Sequence, residues 1–495
     1  MVVPSQAPAP VAARRLLLVL LTVVALGVGW LATGSAGAAG PTTAPAVPAA
    51  HCGAGSLPET SIQGRVPKAD YASGRAAQGY RCNTREVAHQ GSSGGFKTLR
   101  YTDAQGHTCA FYDSTLLVGR DVASNLVSGD GLGVVVLDMS DPAHPRRTAN
   151  LVTPTMQSPH ESLLVNQQRG LLAAEMGTAA TLPGVLEIYD VRTDCRHPRR
   201  LSTTLSSLFG HESGWSPDGM TYYASGTTVG FAAIDISDPR HPRTLFQQLG
   251  VQYHGMRLSN DGRTLYAANI RTPGPTGISG GGLRILDVSQ VQDRVPHPKV
   301  PTLSSLTWHG VSIPQVAEPF IRNGRHYVLE VDEFVDLFSA RAITDMKHSP
   351  VGAARIIDVE DPRHPVVVSD IRLAVHQPDV HAGEQMDDPG AWFPAQGYAA
   401  HYCGMPTRRN PKIAGCSMIL SGLRLFDIRD VRHPREVAYF NQPVVEPKKL
   451  TAFGSGAYAM SQPAWDPVHR SVWYTDTNSG FYVVKLTNGV GGLLR

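Results

Sequence analysis

The chain contains 495 residues, of which 42% are apolar and 17% charged, with 49 Gly and 37 Pro. This length and composition allow a large buried core but contain too much Gly and Pro for a helical bundle or a coiled coil. The formal net charge is only +3, and two of those charges, Arg14 and Arg15, lie in a segment that we expect to be removed. A basic surface able to hold nucleic acid is therefore not expected.

The N-terminus has the three parts of a secretory signal. Two arginines precede an apolar run over 16–34, and small residues, including Ala38 and Ala39, follow it. This order predicts a signal peptide over 1–39 and an exported protein, either secreted or held in the cell envelope. The alternative is an uncleaved anchor, because the run is close to the length of a spanning helix. The small residues favour cleavage, and the mature protein is then expected to have no stable membrane span.

Six cysteines without any C-x-x-C pair are typical of disulfides in an exported protein rather than of a zinc site. Cys403 and Cys416 flank a short loop and are predicted to pair across two neighbouring strands. The other four allow three pairings, between which the sequence does not choose: Cys52, Cys82, Cys109 and Cys195.

Residues 40–80 are predicted to form a Pro- and Ala-rich linker, and a repeat occupies residues 81–495. Each copy has a Gly, five or six mainly apolar residues, an Asp and a turn that ends in Pro, as in GLRLFDIRDVRHP. The last, degenerate copy has Lys485 in place of the Asp. Seven units spaced 45 to 71 residues apart indicate a radial β array. The six aspartates are Asp138, Asp190, Asp235, Asp287, Asp358 and Asp427.

Each unit predicts four strands, named a to d in chain order. A hairpin with a turn such as SPDG or SNDG supplies strands a and b, the repeat supplies strand c, and strand d follows the Pro turn. The predicted fold is all-β, a seven-bladed β-propeller of four-stranded antiparallel blades. Because the last unit ends soon after its strand c, residues near Arg85 to Gln90 are predicted to supply the outer strand of blade seven and close the ring.

The copies resemble the LVIVD-repeat family of bacterial surface and secreted proteins over roughly residues 81–488. The segment HYCGMPTRRNPKIAGCSMILSGLRLFDIRDVRHPREVAYFNQP looks like the most regular blade of that family. The likeness implies a β-propeller and little about chemistry, since propellers host unrelated functions. A looser resemblance to the selenium-binding protein and methanethiol oxidase group implies a metal held on axial histidines.

Five histidines open the predicted strand a of successive blades, the strand nearest the propeller axis. They should therefore lie at one mouth of the central channel, where three or four imidazoles suit one transition-metal ion, Cu, Zn or Fe. An open position on such a metal would activate water or O₂. These candidate ligands are His160, His211, His254, His309 and His401.

A polar residue closes the apolar run of strand b in every unit, at the end that returns to the same mouth. Such residues could orient the imidazoles of a metal site. Alternatively, each histidine only hydrogen-bonds the polar residue of its own blade, because strand side chains point to the faces between blades. A third interpretation is a ligand-binding rim without metal. The residues predicted to orient the imidazoles are Asp113, Glu175, Asn269, Glu330 and Asp476, with Ser225 and Ser421 at the same place in two other blades.

Two insertions belong to loops of this mouth and are too long to be simple turns. One, EVDEFVDLFSARAITDMKHSP, separates strands b and c of blade five, and the other, AVHQPDVHAGEQMDDPGAWFPAQG, begins blade six. Trp392 and Phe393 are candidates for part of a lid. A solvated acidic loop is the simpler explanation for the two aspartates of the second insertion. Its reserve metal ligands are His376, His381, Glu384 and Asp387.

Two functions agree with these features. The first is a binding module that takes a small molecule or an extracellular protein at its loop-rich mouth. The second is a metal-dependent, oxidase-like enzyme. No P-loop or H-E-x-x-H motif indicates another chemistry. A monomer is expected in both cases, and the sequence assigns neither a substrate nor a catalytic residue.

Overall fold

The computed structural model describes most of the chain beyond residue 42. The predicted signal peptide, 1–39, lies outside the described residues, as do Trp392 and Phe393 of the predicted lid. Within the described ranges, no helix combines the length and apolar character that a membrane crossing requires. The described residues are 43–114, 133–177, 184–207, 210–226, 229–274, 277–279, 281–336, 345–391, 396–444 and 456–495.

Strands form seven antiparallel sheets in the described part of the chain, and each sheet contains a complete set of strands a to d. This arrangement is the predicted seven-bladed β-propeller, so the prediction of fold class is confirmed. Alternating apolar residues and tight turns favour short strands over helices in every unit.

The first half of the chain contains the N-terminal segment and blades 1 to 3. The segment has α1 (Lys68–Ser73), a 3-10 turn (Ala76–Gln78), β1 (Tyr80–Cys82) and β2 (Thr84–Gln90). Blade 1 has β3 (Thr98–Thr102), β4 (Thr108–Asp113), β5 (Val134–Asp138) and β6 (Arg146–Leu151). Blade 2 follows α2 (Pro154–Gln157) and has β7 (Leu164–Asn166), β8 (Leu171–Glu175), β9 (Gly184–Asp190) and β10 (Arg199–Ser207). Blade 3 has β11 (Glu212–Trp215), β12 (Thr221–Ser225), β13 (Gly230–Asp235) and β14 (Arg243–Leu249).

The second half contains blades 4 to 7. Blade 4 has β15 (Gln252–Leu258), β16 (Thr264–Gly274), the short β17 (Gly277–Ser279), β18 (Gly282–Asp287), α3 (Ser289–Gln292) and β19 (Thr302–Leu306). Blade 5 has β20 (Ile313–Arg322), β21 (Arg325–Glu333), a 3-10 turn (Met346–His348), β22 (Ala354–Asp358) and β23 (Val366–Ile371). Between blades 5 and 6 lie α4 (Pro378–Ala382) and 3-10 turns at Ala374–His376, Glu384–Asp387 and Pro389–Ala391. Blade 6 has β24 (Tyr402–Gly404), β25 (Ile413–Ser417), β26 (Leu423–Asp427) and β27 (Arg435–Asn441). Blade 7 has β28 (Ala464–Asp466), β29 (Ser471–Asp476) and β30 (Gly480–Leu486), followed by a 3-10 helix (Val490–Leu494).

The ring closes between the two ends of the chain, as the sequence predicts. β2 pairs with β30 as the outer strand of blade 7, with Arg85 opposite Lys485 and Gln90 opposite Phe481. The sequence did not indicate β1, which adds a fifth strand to blade 6 beside β27. Pairing of these strands covers edges that would otherwise be free to pair with another chain.

The described part of the predicted linker, 43–80, is fixed by specific contacts. Val47 donates its N–H to the carbonyl of Arg372 at 2.9 Å. Arg65 forms an ion pair with Asp388, with 2.9 Å between Nε and Oδ2. The segment therefore packs on the blades, which its lack of hydrophobic periodicity does not reveal.

The recurrent Asp forms the turn between strands c and d. Oδ1 of Asp427 accepts the N–H of Arg429 at 3.0 Å, and its carboxylate lies 3.2 Å from Arg435. In the same turn, His433 and Asp430 form an exposed pair at 2.9 Å. An aspartate that accepts the N–H two residues on stabilises a turn, which is why the repeat is visible in the sequence. The same hydrogen bond occurs at Asp138, Asp190, Asp235, Asp287 and Asp358.

All six cysteines form disulfides. Cys403 and Cys416 are directly opposite each other on β24 and β25 and are bonded, as predicted. The remaining bonds join Cys52 to Cys82 and Cys109 to Cys195. The last of these links strand b of blade 1 to the turn between strands c and d of blade 2.

The apolar core lies between neighbouring blades. Between blades 6 and 7, for example, Leu425 and Ile413 pack in one cluster with Val472 and Tyr474. Because apolar side chains fill these interfaces, the polar residues at the start of the innermost strands are left at the axis.

Candidate metal centre

Four of the five predicted histidine ligands meet two glutamates at the centre of the propeller. The six residues come from five blades, so their side chains can converge only near the axis. The ring centroids of His160 and His211 are 4.2 Å apart, and those of His211 and His254 are 5.0 Å apart. The axial cluster consists of His160, Glu161, His211, His254, Glu333 and His401.

The start of strand a places the imidazoles. His211 and His401 immediately precede β11 and β24, and His254 is the third residue of β15. The same end of the innermost strand in successive blades surrounds one mouth of the channel, so these rings become neighbours. His160 lies in a turn with a φ of 49°, a left-handed conformation that few residues other than glycine adopt.

Three ligand-type atoms form a closed triangle around Glu161. Its Oε2 lies 2.8 Å from Nε2 of His254 and 3.4 Å from Nε2 of His211. The two Nε2 atoms are 3.1 Å apart. Neighbouring ligand atoms at about 2.0 to 2.2 Å from one metal ion are separated by about 2.8 to 3.6 Å. The triangle therefore has the dimensions of one face of a metal site.

Backbone carbonyls fix the tautomers of two rings. Nδ1 of His254 lies 3.1 Å from the carbonyl oxygen of Pro314, and Nδ1 of His401 lies 2.6 Å from that of Met460. A carbonyl oxygen only accepts, so each Nδ1 carries a hydrogen. In the neutral ring the Nε2 lone pair then faces carboxylates, which is unfavourable unless a proton or a cation lies between. Metal-ligating imidazoles usually donate their other N–H in this way.

Burial and opposite charges shift the pKa values in the cluster. Burial would raise the pKa of Glu161, but the charge of His254 and the surrounding imidazole hydrogen bonds hold it well below its usual range. Burial would lower the pKa of His401, but contacts with Glu161 and Glu333 raise it to about 9. Burial and a neighbouring imidazole lower the pKa of His160 well below its usual value. His160 is therefore neutral at pH 7, as a metal ligand must be.

Two aromatic rings form the walls of the site. The Phe96 ring centroid lies 4.6 Å from that of His160 and 5.2 Å from that of His401. Phe334 lies 5.5 Å from His401 and has a φ of 54°, a strained conformation for a bulky residue. The side chain of His211 is 12% exposed, whereas those of His254 and His401 are 2% and 0% exposed. His211 is therefore the imidazole of these three that solvent reaches most easily.

A buried ion network forms the layer beneath the cluster. Nζ of Lys97 lies 2.9 Å from Oε1 of Glu212 and 3.8 Å from the ring centroid of Tyr402. Arg257 lies 3.3 Å from Glu212 and 2.6 Å from Glu318. Lys97 and Arg257 are thus paired with carboxylates of their own layer. The positive charge that balances the two carboxylates of the axial cluster comes from protonated imidazoles or from metal ions.

The structure does not bring His309 to the cluster. His309 lies exposed in a turn, and β20 begins only four residues later. The neighbouring Trp308 donates its ring N–H to Asp332 at 3.0 Å, which holds this turn away from the axis. Gln315 of β20 takes the place expected for His309 and donates from Nε2 to Oε1 of Glu161 at 2.6 Å.

The polar residues at the end of strand b are buried beside the mouth. Two of them accept hydrogen bonds from backbone N–H groups. Asp113 accepts the N–H groups of Phe96 and Lys97 at 3.2 and 3.1 Å, and burial raises its pKa to about 7. Asp476 accepts the N–H of Tyr458.

The other three members of this set are also buried. Glu330 forms an ion pair with Arg355, and burial raises the pKa of Glu330 well above its usual value. Glu175 and Asn269 are buried in β8 and β16. Orientation of the imidazoles by these residues stays a prediction.

The reserve ligands of the insertion before blade 6 make local contacts. Nε2 of His376 donates to the carbonyl of Tyr398 at 2.9 Å, and Nδ1 of His381 accepts a glutamine amide at 2.6 Å. Glu384 and Asp387 are exposed, and the former pairs with an arginine of the N-terminal segment at 2.7 Å. None of the four belongs to a group of metal-ligating side chains among the described residues.

Sequence reasoning missed both carboxylates of the axial cluster. Glu161 directly follows His160 in SPHES, and Glu333 ends β21 within the run EVDEF. The signal for Glu161 was its position next to a candidate ligand. The signal for Glu333 was a strand b that continues past Glu330. Neither signal shows that side chains from blades 2 and 5 meet.

No protein-family model and no curated protein matches the chain, so the two family resemblances stay predictions. Solved structures include β-propellers of low similarity. The β-propeller domain of Myceliophteria thermophila Cps50 (Swd1) is 11% identical with a TM-score of 0.48, covering 81% of this chain and 98% of that one. Kuenenia stuttgartiensis hydrazine synthase is 12% identical with a TM-score of 0.47, covering 81% and 97%. The Pseudomonas aeruginosa periplasmic gluconolactonase is 15% identical with a TM-score of 0.44, covering 70% and 85%. Such similarity transfers no function.

Proposed function

We propose that the protein is an exported metalloenzyme of the oxidase type that binds a transition-metal ion on Glu161, His211 and His254. The orientation of His254 carries the proposal, because its Nδ1 hydrogen is committed to a carbonyl while Nε2 lies within 2.8 and 3.1 Å of two other ligand-type atoms. A hydrogen placed among these three atoms would join only two of them. A cation would satisfy all three.

The ligand types support a metal with redox chemistry. Two imidazoles and one carboxylate on one face of the ion, with other positions open, form the ligand set of non-haem Fe(II) oxygenases. His160 belongs to the same group, with ligand atoms within 4.8 Å of those of Glu161 and His211. Its Nδ1 is buried and has no hydrogen-bond partner among the described residues. His160 is therefore the fourth ligand in this proposal.

The surroundings support a small substrate. The apolar rings of Phe96 and Phe334 keep the cluster dry, which strengthens its electrostatic interactions. The narrow exposure at His211 suits O₂ and a small molecule rather than a protein chain. Three disulfides agree with an oxidising compartment outside the cytoplasm.

The first test is the metal content of the full chain, purified without a polyhistidine tag. We expect one or more Fe, Cu or Zn ions per chain in the wild type and a loss of at least tenfold in metal affinity in His254→Ala. His309→Ala is the matched control because this histidine is exposed and belongs to no group of metal-ligating side chains among the described residues, and it should keep wild-type metal content. If the wild-type protein stays metal-free in excess metal, the proposal is contradicted. The binding module is then the better hypothesis for the function.

The second test addresses the open coordination position without needing the substrate. Nitric oxide, a surrogate for O₂, should bind the Fe²⁺-loaded wild type and give a new electron paramagnetic resonance signal. His254→Ala should lack that signal, and His309→Ala should retain it. If the protein binds iron stoichiometrically but does not bind nitric oxide, the oxidase function is contradicted. The metal would then have a structural role.

A further inference from the structure

We propose that Glu161 bridges two metal ions, so that a second ion, bound by Glu161, Glu333 and His401, completes a dinuclear centre. This inference rests on the proposed function, because it places the second ion beside the one held by His211 and His254. The first ion uses Oε2 of Glu161, and the second uses Oε1 of the same carboxylate.

The second group has metal-site dimensions of its own. Nε2 of His401 lies 2.9 Å from Oε2 of Glu333 and 3.3 Å from Oε1 of Glu161. The ligand atoms of the three side chains all lie within 4.8 Å of one another. Both measured separations fall in the range of about 2.8 to 3.6 Å that neighbouring ligands of one ion adopt.

The direction of the His401 ring supports a cation at this place. Its Nδ1 hydrogen goes to the carbonyl of Met460 at 2.6 Å, so the neutral ring presents a lone pair at Nε2. This Nε2 is buried and makes no hydrogen bond that is properly aligned with either nearby carboxylate. A metal ion at this place would bind the Nε2 lone pair and both carboxylates at once. A single N–H on Nε2 would bond to only one of the two carboxylates.

The contacts of Glu161 are divided in the way that a bridging carboxylate requires. Oε2 faces His211 and His254, whereas Oε1 faces His401. Gln315 donates to Oε1 at 2.6 Å, which leaves that oxygen its second lone pair and fixes the plane of the carboxylate. Carboxylates that ligate metals are commonly held by such hydrogen bonds. Ions in two-metal sites lie about 3.5 to 4 Å apart.

The net charge of a dinuclear centre indicates the substrate class. Glu161 and Glu333 bring two negative charges, and the nearest cations, Lys97 and Arg257, are already paired with carboxylates of the lower layer. Two divalent ions would exceed the two negative charges by two. The centre would then bind an anionic oxygen between the ions, either hydroxide or the carboxylate or alkoxide of a small substrate.

The two places differ in ligand chemistry. The first has two or three imidazoles and one carboxylate oxygen, which suits Fe, Cu or Zn, whereas the second has one imidazole and two carboxylate oxygens, which suits Mn, Fe or Zn. Zn²⁺ therefore suits both places and is the probe for stoichiometry. Mn²⁺ is the probe for the distance between the ions, because it is paramagnetic. It is added in large excess, so that its concentration offsets its weaker affinity for the place that is rich in imidazoles.

The test is the number of Zn²⁺ ions per chain in full-length protein that has been stripped of metal, reloaded and dialysed. We expect two ions in the wild type and in the control His309→Ala, and one in Glu333→Gln, which keeps the side-chain shape and so the fold. One ion in the wild type, or two in Glu333→Gln, would overturn the dinuclear centre while the proposed function stands. No ion in the wild type would overturn both.

A spectroscopic test separates a bridged pair from two unrelated ions. Mn²⁺-loaded wild type should give the electron paramagnetic resonance spectrum of a coupled pair, in which the six-line signal of isolated Mn²⁺ is lost. Glu333→Gln should restore the six-line signal with one Mn²⁺ per chain. A six-line signal from wild-type protein that holds two Mn²⁺ would show that Glu161 does not bridge them.

Discussion

Nε2 of His254 lies 2.8 Å from Oε2 of Glu161, while Nδ1 of the same ring donates to the carbonyl of Pro314. The ring thus uses its one neutral-state hydrogen on the backbone and turns its other nitrogen to a carboxylate. Only a second proton or a metal ion makes that contact favourable. Glu161 makes contacts of this kind with three imidazoles, which places it at the centre of the cluster.

Replacing this carboxylate should remove metal binding. In Glu161→Gln the side chain keeps its shape but loses its charge and one ligand oxygen. We expect metal affinity to fall by more than about 100-fold, because loss of a ligand should exceed the 10- to 100-fold effect of losing a residue that only orients one. Calorimetric titration with Zn²⁺ measures the change. Glu384→Gln is the control, because the side chain of Glu384 is 85% exposed, and it should bind Zn²⁺ as the wild type does.

Gln315 should act through Glu161 rather than on the metal. Its amide fixes Oε1 of Glu161 at 2.6 Å, so Gln315→Met, of similar volume, should weaken Zn²⁺ binding by about 10- to 100-fold while the number of ions per chain is unchanged. Gln247→Met, in the exposed outer strand of blade 3, should leave affinity unchanged. Equal affinity in Gln315→Met and wild type would show that the amide does not position the carboxylate.

The fold was predictable because it is encoded locally and repeatedly. Each Asp that closes strand c accepts a backbone N–H two residues on, as Asp427 does from Arg429, so every turn leaves its own mark in the sequence. The pairing of Cys403 with Cys416 was predictable for the same reason, since both residues belong to one hairpin.

The candidate site was only partly predictable, because it is not local. His254 and Glu161 are 93 residues apart and meet only when the ring of blades has closed. His309 shows the opposite error, because its spacing fits the pattern although it does not reach the cluster. The hydrogen bond from Trp308 to Asp332 holds the turn, and β20 begins only after it. Sequence spacing identifies which strands reach the axis, and it does not give the register within them.

A disulfide that closes a longer loop should stabilise the fold more than one that closes a shorter loop. Cys109 and Cys195 are 86 residues apart and Cys403 and Cys416 only 13. In the chain-entropy model these bonds contribute about 4.5 and about 3 kcal/mol. We therefore expect Cys109→Ala with Cys195→Ala to lower the unfolding free energy more than Cys403→Ala with Cys416→Ala. Urea unfolding of both double variants provides the comparison, and the reverse order would show that local packing outweighs loop length.

His376 should make the protein sensitive to acid. It is fully buried, and burial together with Arg372 lowers its pKa to about 3, against an ordinary value of 6.5. The unfolded chain therefore binds a proton between these values that the folded chain does not, so stability falls as the pH falls below 6.5. Between pH 7 and pH 5, the titration of this residue should lower the free energy of unfolding by about 2 kcal/mol.

Urea unfolding of wild type and His376→Gln at both pH values isolates this contribution from that of the other titrating groups. The variant should be less stable than the wild type at pH 7, because the bond to the carbonyl of Tyr398 is weakened. On acidification, the free energy of unfolding of the variant should fall by about 2 kcal/mol less than that of the wild type, since glutamine does not titrate. His433→Gln, at an exposed histidine, should follow the wild type at both pH values. Parallel losses in wild type and His376→Gln would mean that His376 does not stay neutral in the folded protein over this range.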